Sequence, residues 1–180
     1  GDERRYQFDG KLFLDVEPIR NLHIRTSFAY QYYNSEYEAF DPTHQHYKAD
    51  GSMIPSGIAS LNINGVNSQQ WINENTVSYS ITIADDHNLS ALIGQSNQWN
   101  RNKYSRAVGE NFLTNNVQVM DAAQNSSAYG NREEATLRSW FGRINYNYKG
   151  RYLFEANLRR DETSRIPKKN RTGYFPAVSA

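Results

Sequence analysis

Ser139-Trp140-Phe141-Gly142-Arg143-Ile144-Asn145-Tyr146-Asn147-Tyr148-Lys149-Gly150-Arg151-Tyr152-Leu153-Phe154-Glu155-Ala156-Asn157-Leu158-Arg159-Arg160-Asp161 alternates in hydropathy on both sides of one break. Trp140, Gly142, Ile144, Tyr146 and Tyr148 share one parity, and Ser139, Phe141, Arg143, Asn145 and Asn147 the other. After Lys149-Gly150-Arg151 the pattern restarts, with Tyr152, Phe154, Ala156 and Leu158 set against Leu153, Glu155, Asn157, Arg159 and Asp161. A period of two is the signature of a strand with unlike environments on its two faces, and a Gly-containing break between two such runs reads as a hairpin turn. Tyr146, Tyr148 and Tyr152 cluster beside the turn while Trp140 lies near the other end. At about 3.3 Å per residue and a tilt near 40°, residues 140 to 148 cover roughly 20 Å along a membrane normal, the scale of an apolar band flanked by aromatic girdles.

Outward from this hairpin the same period recurs. Tyr6, Phe8, Gly10, Leu12, Leu14 and Val16 alternate with mainly polar residues, a turn is expected at residues 18–21, and Leu22, Ile24, Phe28, Tyr30 and Tyr32 continue. Residues 71–83 form a third run, Ala84-Asp85-Asp86-His87 a turn, and residues 88–99 a fourth run with weaker alternation. Residues 173–180 supply a seventh strand. Between the hairpins lie polar stretches at residues 34–70, with Gly51, Pro55, Gly57 and Gly65, and at residues 104–134, to which no regular structure is assigned; a shorter one spans 163–172. Short turns therefore alternate with long connections, the asymmetry of outer-membrane barrels. Seven strands do not close an even-numbered barrel, and open edges in lipid leave backbone groups unsatisfied, so the expectation is an all-β antiparallel meander belonging to a larger transmembrane barrel.

Composition narrows the function. The 180 residues include 20 Lys and Arg against 19 Asp and Glu, a formal charge of +1 that gives no field for gathering nucleic acid. No cysteine is present, which removes thiolate metal sites and cysteine nucleophiles. The longest apolar runs are a few residues, as at Leu12-Phe13-Leu14, too short for a membrane-crossing helix. The first five residues, Gly1-Asp2-Glu3-Arg4-Arg5, carry no export signal, which is expected to have been upstream or removed. Aromatic residues reach 13%, with 13 Tyr, at a mean hydropathy of -0.83. Such a mixture fits a barrel with aromatic girdles or, as the alternative, a secreted soluble β-sandwich that binds carbohydrate. The sandwich does not account for the segregated loop lengths.

Residues 139–161 closely resemble the SusC/RagA family of TonB-dependent outer-membrane transporters. Glu162-Thr163-Ser164-Arg165, Asn170-Arg171 and Gly173-Tyr174-Phe175-Pro176 answer the family's following tip, Asn-Arg pair and strand. Glu162 replaces a usual Gly and Thr172 a common aromatic, so the conformation of this tip does not carry over. Residues 6–18 and Trp71-Ile72-Asn73-Glu74-Asn75-Thr76-Val77-Ser78-Tyr79, before Asp86-His87-Asn88-Leu89, resemble the family more diffusely. The resemblance implies a 22-stranded barrel with a plug, importing large nutrients such as glycans or peptides with energy delivered through TonB. It also implies a SusD-like surface lipoprotein over the extracellular face, contact with outer-membrane lipid, and residence in the outer membrane of a Gram-negative bacterium. Residues 1–180 then correspond to part of the barrel domain, with neither plug nor TonB box.

Candidate sites are few. His44 and His46 present a His-x-His pair without a clear third ligand, so a solvated loop is expected and no metal. Asp85, Asp86 and His87 resemble acid–base equipment, but a tight turn uses Asp in the same way. Trp99 and Tyr104 offer rings for stacking on a sugar, against a girdle or loop-packing role. Arg159 and Asp161 fall on the lumen parity, where they bind substrate or pair with the plug or neighbouring strands, whereas Arg160 falls on the lipid parity and marks the membrane boundary. No nucleophile–base pattern, phosphate cradle or cofactor motif stands out, and no enzymatic activity is expected.

Overall fold

Chain reversal here depends on left-handed backbone at the tight turns. Asn21 (φ 67°), Ala84 (51°), Asp85 (59°), Lys149 (55°) and Gly150 (67°) supply it, and only Gly150 adopts it without steric cost. In the last of these turns Gly150 N–H donates to Asn147 Oδ1 (2.8 Å) and Arg151 N–H to Tyr148 O (3.0 Å). The computed structural model describes residues 1–54 and 57–180, so Pro55 of the first long connection lies outside the described residues. The turns link β1 (Asp2–Ile19) to β2 (Leu22–Asp41), β5 (Ser60–Ile83) to β6 (His87–Phe112), and β7 (Ala123–Tyr148) to β8 (Tyr152–Thr163), with β9 (Thr172–Ser179) last. These seven strands form one sheet in the order β1-β2-β5-β6-β7-β8-β9, an all-β meander as the alternation predicts. β3 (His46–Tyr47) and β4 (Met53–Ile54) pair separately as a small antiparallel hairpin.

Two expectations need correction. The connection expected at residues 34–70 covers only 42–59, because β2 runs to Asp41 and β5 begins at Ser60. The stretch at 104–134, to which no regular structure was assigned, is largely strand: β6 continues to Phe112, β7 starts at Ala123, and the connection between them includes a 3-10 turn at Met120–Ala122. The physical reason is that alternation records a difference between a strand's two faces. Backbone pairing continues where both faces are polar, and the pattern then vanishes while the strand does not. At 26 residues each, β6 and β7 far exceed the 9–11 residues that a membrane-crossing strand needs.

The chain forms two compact units, to which β1, β2, β5, β6 and β7 all contribute. One unit comprises residues 8–31, 69–101 and 134–180. Its register places Ile144 opposite Ala156, and Ala156 opposite Val178; Gly142, Leu158 and Pro176 form the next rung, then Trp140, Arg160 and Tyr174. This face exposes Leu12, Leu14, Val77, Ile93, Ile144, Phe154 and Leu158. The opposite face carries rungs of Arg143–Asn157 and Ser139–Asp161. Gly94 sits beneath the Phe141 ring, which occupies the space a Cβ would need, so any other residue here must displace that ring.

The other unit, residues 1–7, 32–68 and 102–133, has a small core of its own. Leu61 is fully buried, beside buried Ala59, and the rings of Phe40 and Phe112 meet edge to face at 5.1 Å. Its two connections are tied reciprocally: Thr43 N–H donates to Asn115 Oδ1 and Asn115 Nδ2 to Thr43 O, both at 3.0 Å. The β3–β4 turn is closed by Asp50, which accepts from Ser52 N–H (2.8 Å) and Ser52 Oγ (2.6 Å); the hydroxyl foremost, then the amide, holds its carboxyl below the usual range.

Candidate functional site

The polar face of the first unit is a wall of interlocked side chains. Arg159 Nε donates to both oxygens of Asp161 (2.8 and 3.0 Å), and its Nη2 reaches Ser139 Oγ (3.1 Å), a residue only 1% exposed. Arg143 Nε donates to Asn157 Oδ1 (2.8 Å), and Asn157 Nδ2 to Glu155 Oε1 (2.6 Å). Asn145 Nδ2 reaches Ser90 Oγ at 3.3 Å. Strand pairing generates these contacts, because same-face residues two apart or directly across a ladder lie within side-chain reach. The structure thus brings Arg159 and Asp161 together, each engaged by the other.

Trp99 and Tyr104 fall apart. Five residues separate them along β6, so strand alternation puts their side chains on opposite faces. Trp99 has the Arg101 guanidinium 5.5 Å from its ring centroid, a cation–π contact. Tyr104 joins a different cluster in the second unit: its ring is 6.4 Å from that of Tyr129, and its hydroxyl lies 3.4 Å from Asn64 Oδ1. Beside them Arg106 Nη2 donates to Asn62 Oδ1 (3.0 Å), its guanidinium carbon lies 5.9 Å from the Tyr129 centroid, and its Nε is buried with no hydrogen-bond acceptor. The three side chains line an open depression of about 600 Å³. Two phenols, a guanidinium and neighbouring amides suit a ligand that offers both stacking surface and acceptor oxygens, such as a saccharide or a peptide.

Arg106 and Tyr129 escaped the sequence reading because their partners come from a neighbouring strand in a segment without period. The basic–aromatic pairing within Tyr104-Ser105-Arg106 is the one signal nearby.

The remaining candidates resolve into local structure. Asp86 Oδ2 pairs with Lys149 Nζ (3.1 Å), Asp86 O accepts from Lys149 N–H (2.9 Å), and His87 Nδ1 lies 2.7 Å from Tyr146 Oη. The His87 ring also lies 4.6 Å from that of Tyr148, which stacks 6.2 Å from Tyr152. These rings form one belt beside the tight turns. His44 and His46 have ring centroids 6.3 Å apart, and no group of three His, Asp or Glu residues suited to a metal occurs among the described residues.

No family model matches the chain. Among curated proteins, it is 30% identical over 184 aligned residues to TonB-dependent receptor P26 of Formosa agariphila, covering 98% of this chain and 18% of that protein. It is 37% identical over 87 residues to TonB-dependent receptor SusC of Bacteroides thetaiotaomicron, covering 48% of this chain and 8% of the relative. The RagAB peptide transporter contains a chain that superposes with a TM-score of 0.88 at 18% identity, covering 98% of this chain and 19% of that one. The chain therefore spans less than a fifth of the length of these proteins, and its fold is that of a stretch of the superposed chain.

Proposed function

We propose, from a chain that is similar along nearly all of its length to a TonB-dependent receptor and along about half of it to SusC, that it forms barrel wall in a SusC/RagA-type outer-membrane importer of large nutrients such as glycans or peptides. The observation that carries this is the two-faced sheet: an exposed apolar face bounded by Trp140, Arg160 and Tyr174 at one end and by the His87–Tyr146–Tyr148–Tyr152 belt at the other, backed by the Arg143–Asn157 and Arg159–Asp161 wall. Lipid on one side and a watery lumen on the other demand this arrangement.

In this reading passage, not catalysis, is the chemistry. The polar wall lines the lumen, and its amide and guanidinium groups are already paired, so the wall offers few strong traps to a moving solute. The Tyr104–Arg106–Tyr129 cluster supplies a contact for nutrient near the long connections, and a SusD-like lipoprotein closes over that side. TonB supplies energy through a plug outside these residues. The relatives are receptors and transporters, not enzymes.

Cell fractionation and uptake measurements with the full-length protein test this. A heat-modifiable band in the outer-membrane fraction, with energy-dependent uptake of one class of labelled oligosaccharide or oligopeptide lost on deletion of the gene, is the expected result. A soluble protein would overturn the reading in favour of the carbohydrate-binding sandwich. Tyr104→Ala combined with Tyr129→Ala should raise the half-saturation concentration for uptake by about tenfold, the scale of losing about one aromatic contact on a sugar.

A further inference from the structure

Two glycines on facing strands behave differently. A Cβ on Gly94 would collide with the Phe141 ring, but a Cβ on Gly142 would meet only Leu92 O, at an ordinary 3.6 Å. Packing does not demand glycine at 142. Its missing side chain instead opens a groove of about 700 Å³ on the apolar face, lined by Ala91 and Ala156 along with Ile93, Ile144 and Leu158. Trp140, Arg160 and Tyr174 border the groove in the register rung that ends the apolar band.

On the same strand parity, immediately past that rung, the surface changes chemistry. A cup of about 600 Å³ is lined by Asn73, Asn97, Arg138, Glu162 and Arg171, with Phe28 and Trp71 on its apolar side. The two rings stack at 6.3 Å and 23°. Both guanidinium groups are anchored through Nε, Arg138 to Asn97 Oδ1 (3.3 Å) and Arg171 to Ile166 O (2.9 Å), a posture suited to presenting Nη groups to a bidentate acceptor. Glu162 is the acid in the cup; it lies across from Arg138 and pairs with Arg160 at 3.6 Å. Arg138, Arg160 and Arg171 against Glu162 leave the site cationic, and Arg165, Lys168 and Lys169 in the adjoining connection add to it.

We infer that the groove and cup together bind one acyl-chain-bearing, phosphorylated sugar lipid of the outer leaflet, its chains in the Gly142 groove and its phosphosugar head in the cup. Three matches carry this assignment: apolar space for chains, guanidinium groups for phosphate, and a stacked aromatic pair with amides for a sugar face. A plain phospholipid has no use for the aromatic and amide side of the cup. The inference rests on the barrel-wall reading, which sets this face toward lipid and the long connections outside the cell.

The test uses the full-length protein purified in detergent and mixed with monophosphorylated lipid A, its dephosphorylated form, or phosphatidylglycerol, with retained lipid counted by native mass spectrometry. The expected result is retention of the phosphorylated glycolipid about tenfold above either control. Arg138→Gln with Arg171→Gln should remove that preference, and Gly142→Leu should lower retention of all acylated probes. The added Cβ meets only Leu92 O at an ordinary contact distance, and the remaining side-chain atoms extend from the strand that lines the groove, which makes this a variant that reads the groove. Equal retention of phosphatidylglycerol and lipid A would overturn the proposal, as would a dimer sealing this face that lipid A does not dissociate. A protein that is folded and soluble without detergent would instead overturn the barrel-wall reading itself.

Discussion

The two units obey different rules although they share strands. In residues 8–31, 69–101 and 134–180 the sequence alternates because one face is apolar and exposed while the other is a hydrogen-bonded polar wall. In residues 1–7, 32–68 and 102–133 the strands are equally continuous, but stability comes from a small local core around Leu61, Ala59, Phe40 and Phe112, and the alternation fades. Hydropathy period thus reports what surrounds a strand, whereas strand existence is set by backbone pairing.

The contrast can be broken first at the core of the unpatterned unit. Leu61→Ala should cost about 2–5 kcal/mol of local stability, the range for truncating a buried leucine, measured as lost hydrogen-exchange protection around Ala59 and Asn111. Protection in the patterned unit should persist. On the patterned side, Ile144→Arg in the full-length protein should cost about 2–4 kcal/mol in folding into lipid vesicles, whereas Asn145→Arg should cost much less. Equal, small costs would undo the assignment of faces. Next, Gly94→Leu should destabilise by about 1–3 kcal/mol, because the Phe141 ring must leave its position, and urea titration of the vesicle-folded protein reads the loss. The smallest effect belongs to the β3–β4 turn. The Asp50 carboxyl is held below its ordinary range, so its contribution is present above the unfolded carboxylate range and lost as pH falls through the lower folded value. Amide exchange at Ser52 should rise relative to its intrinsic rate at acid pH, and Asp50→Asn should blunt that dependence.

Legibility followed the same division. The hairpin of residues 139–161, with its turn at 149–151 and its two aromatic ends, could be read because the residues of its apolar and polar faces differ at nearly every step. The extensions of β2, β5, β6 and β7 could not, since Asn, Ser and Tyr on both faces erase the contrast. The site suffered from this most. Tyr104 was visible as an aromatic near a loop, but its partners Arg106 and Tyr129 depend on a pairing between β6 and β7 that no local pattern announces. Trp99, taken with Tyr104 because the two are close in sequence, is separated from it by an odd number of strand steps. That Arg159 and Asp161 share a face followed directly from parity, since residues two apart do so; that they pair with each other, and not with the plug or a neighbouring strand, did not.

The tie between two tight turns has a consequence for assembly. Lys149 holds Asp86 through both its backbone and its ammonium group, and His87 meets Tyr146 a few residues away. A slip of two residues between these hairpins would keep every apolar side chain on its proper face, so hydrophobicity alone does not penalise the error. It would, however, separate both contacts at once. The paired turns therefore serve as a gauge of strand alignment, distinguishing the native ladder from mismatched ones with the same division of apolar and polar faces.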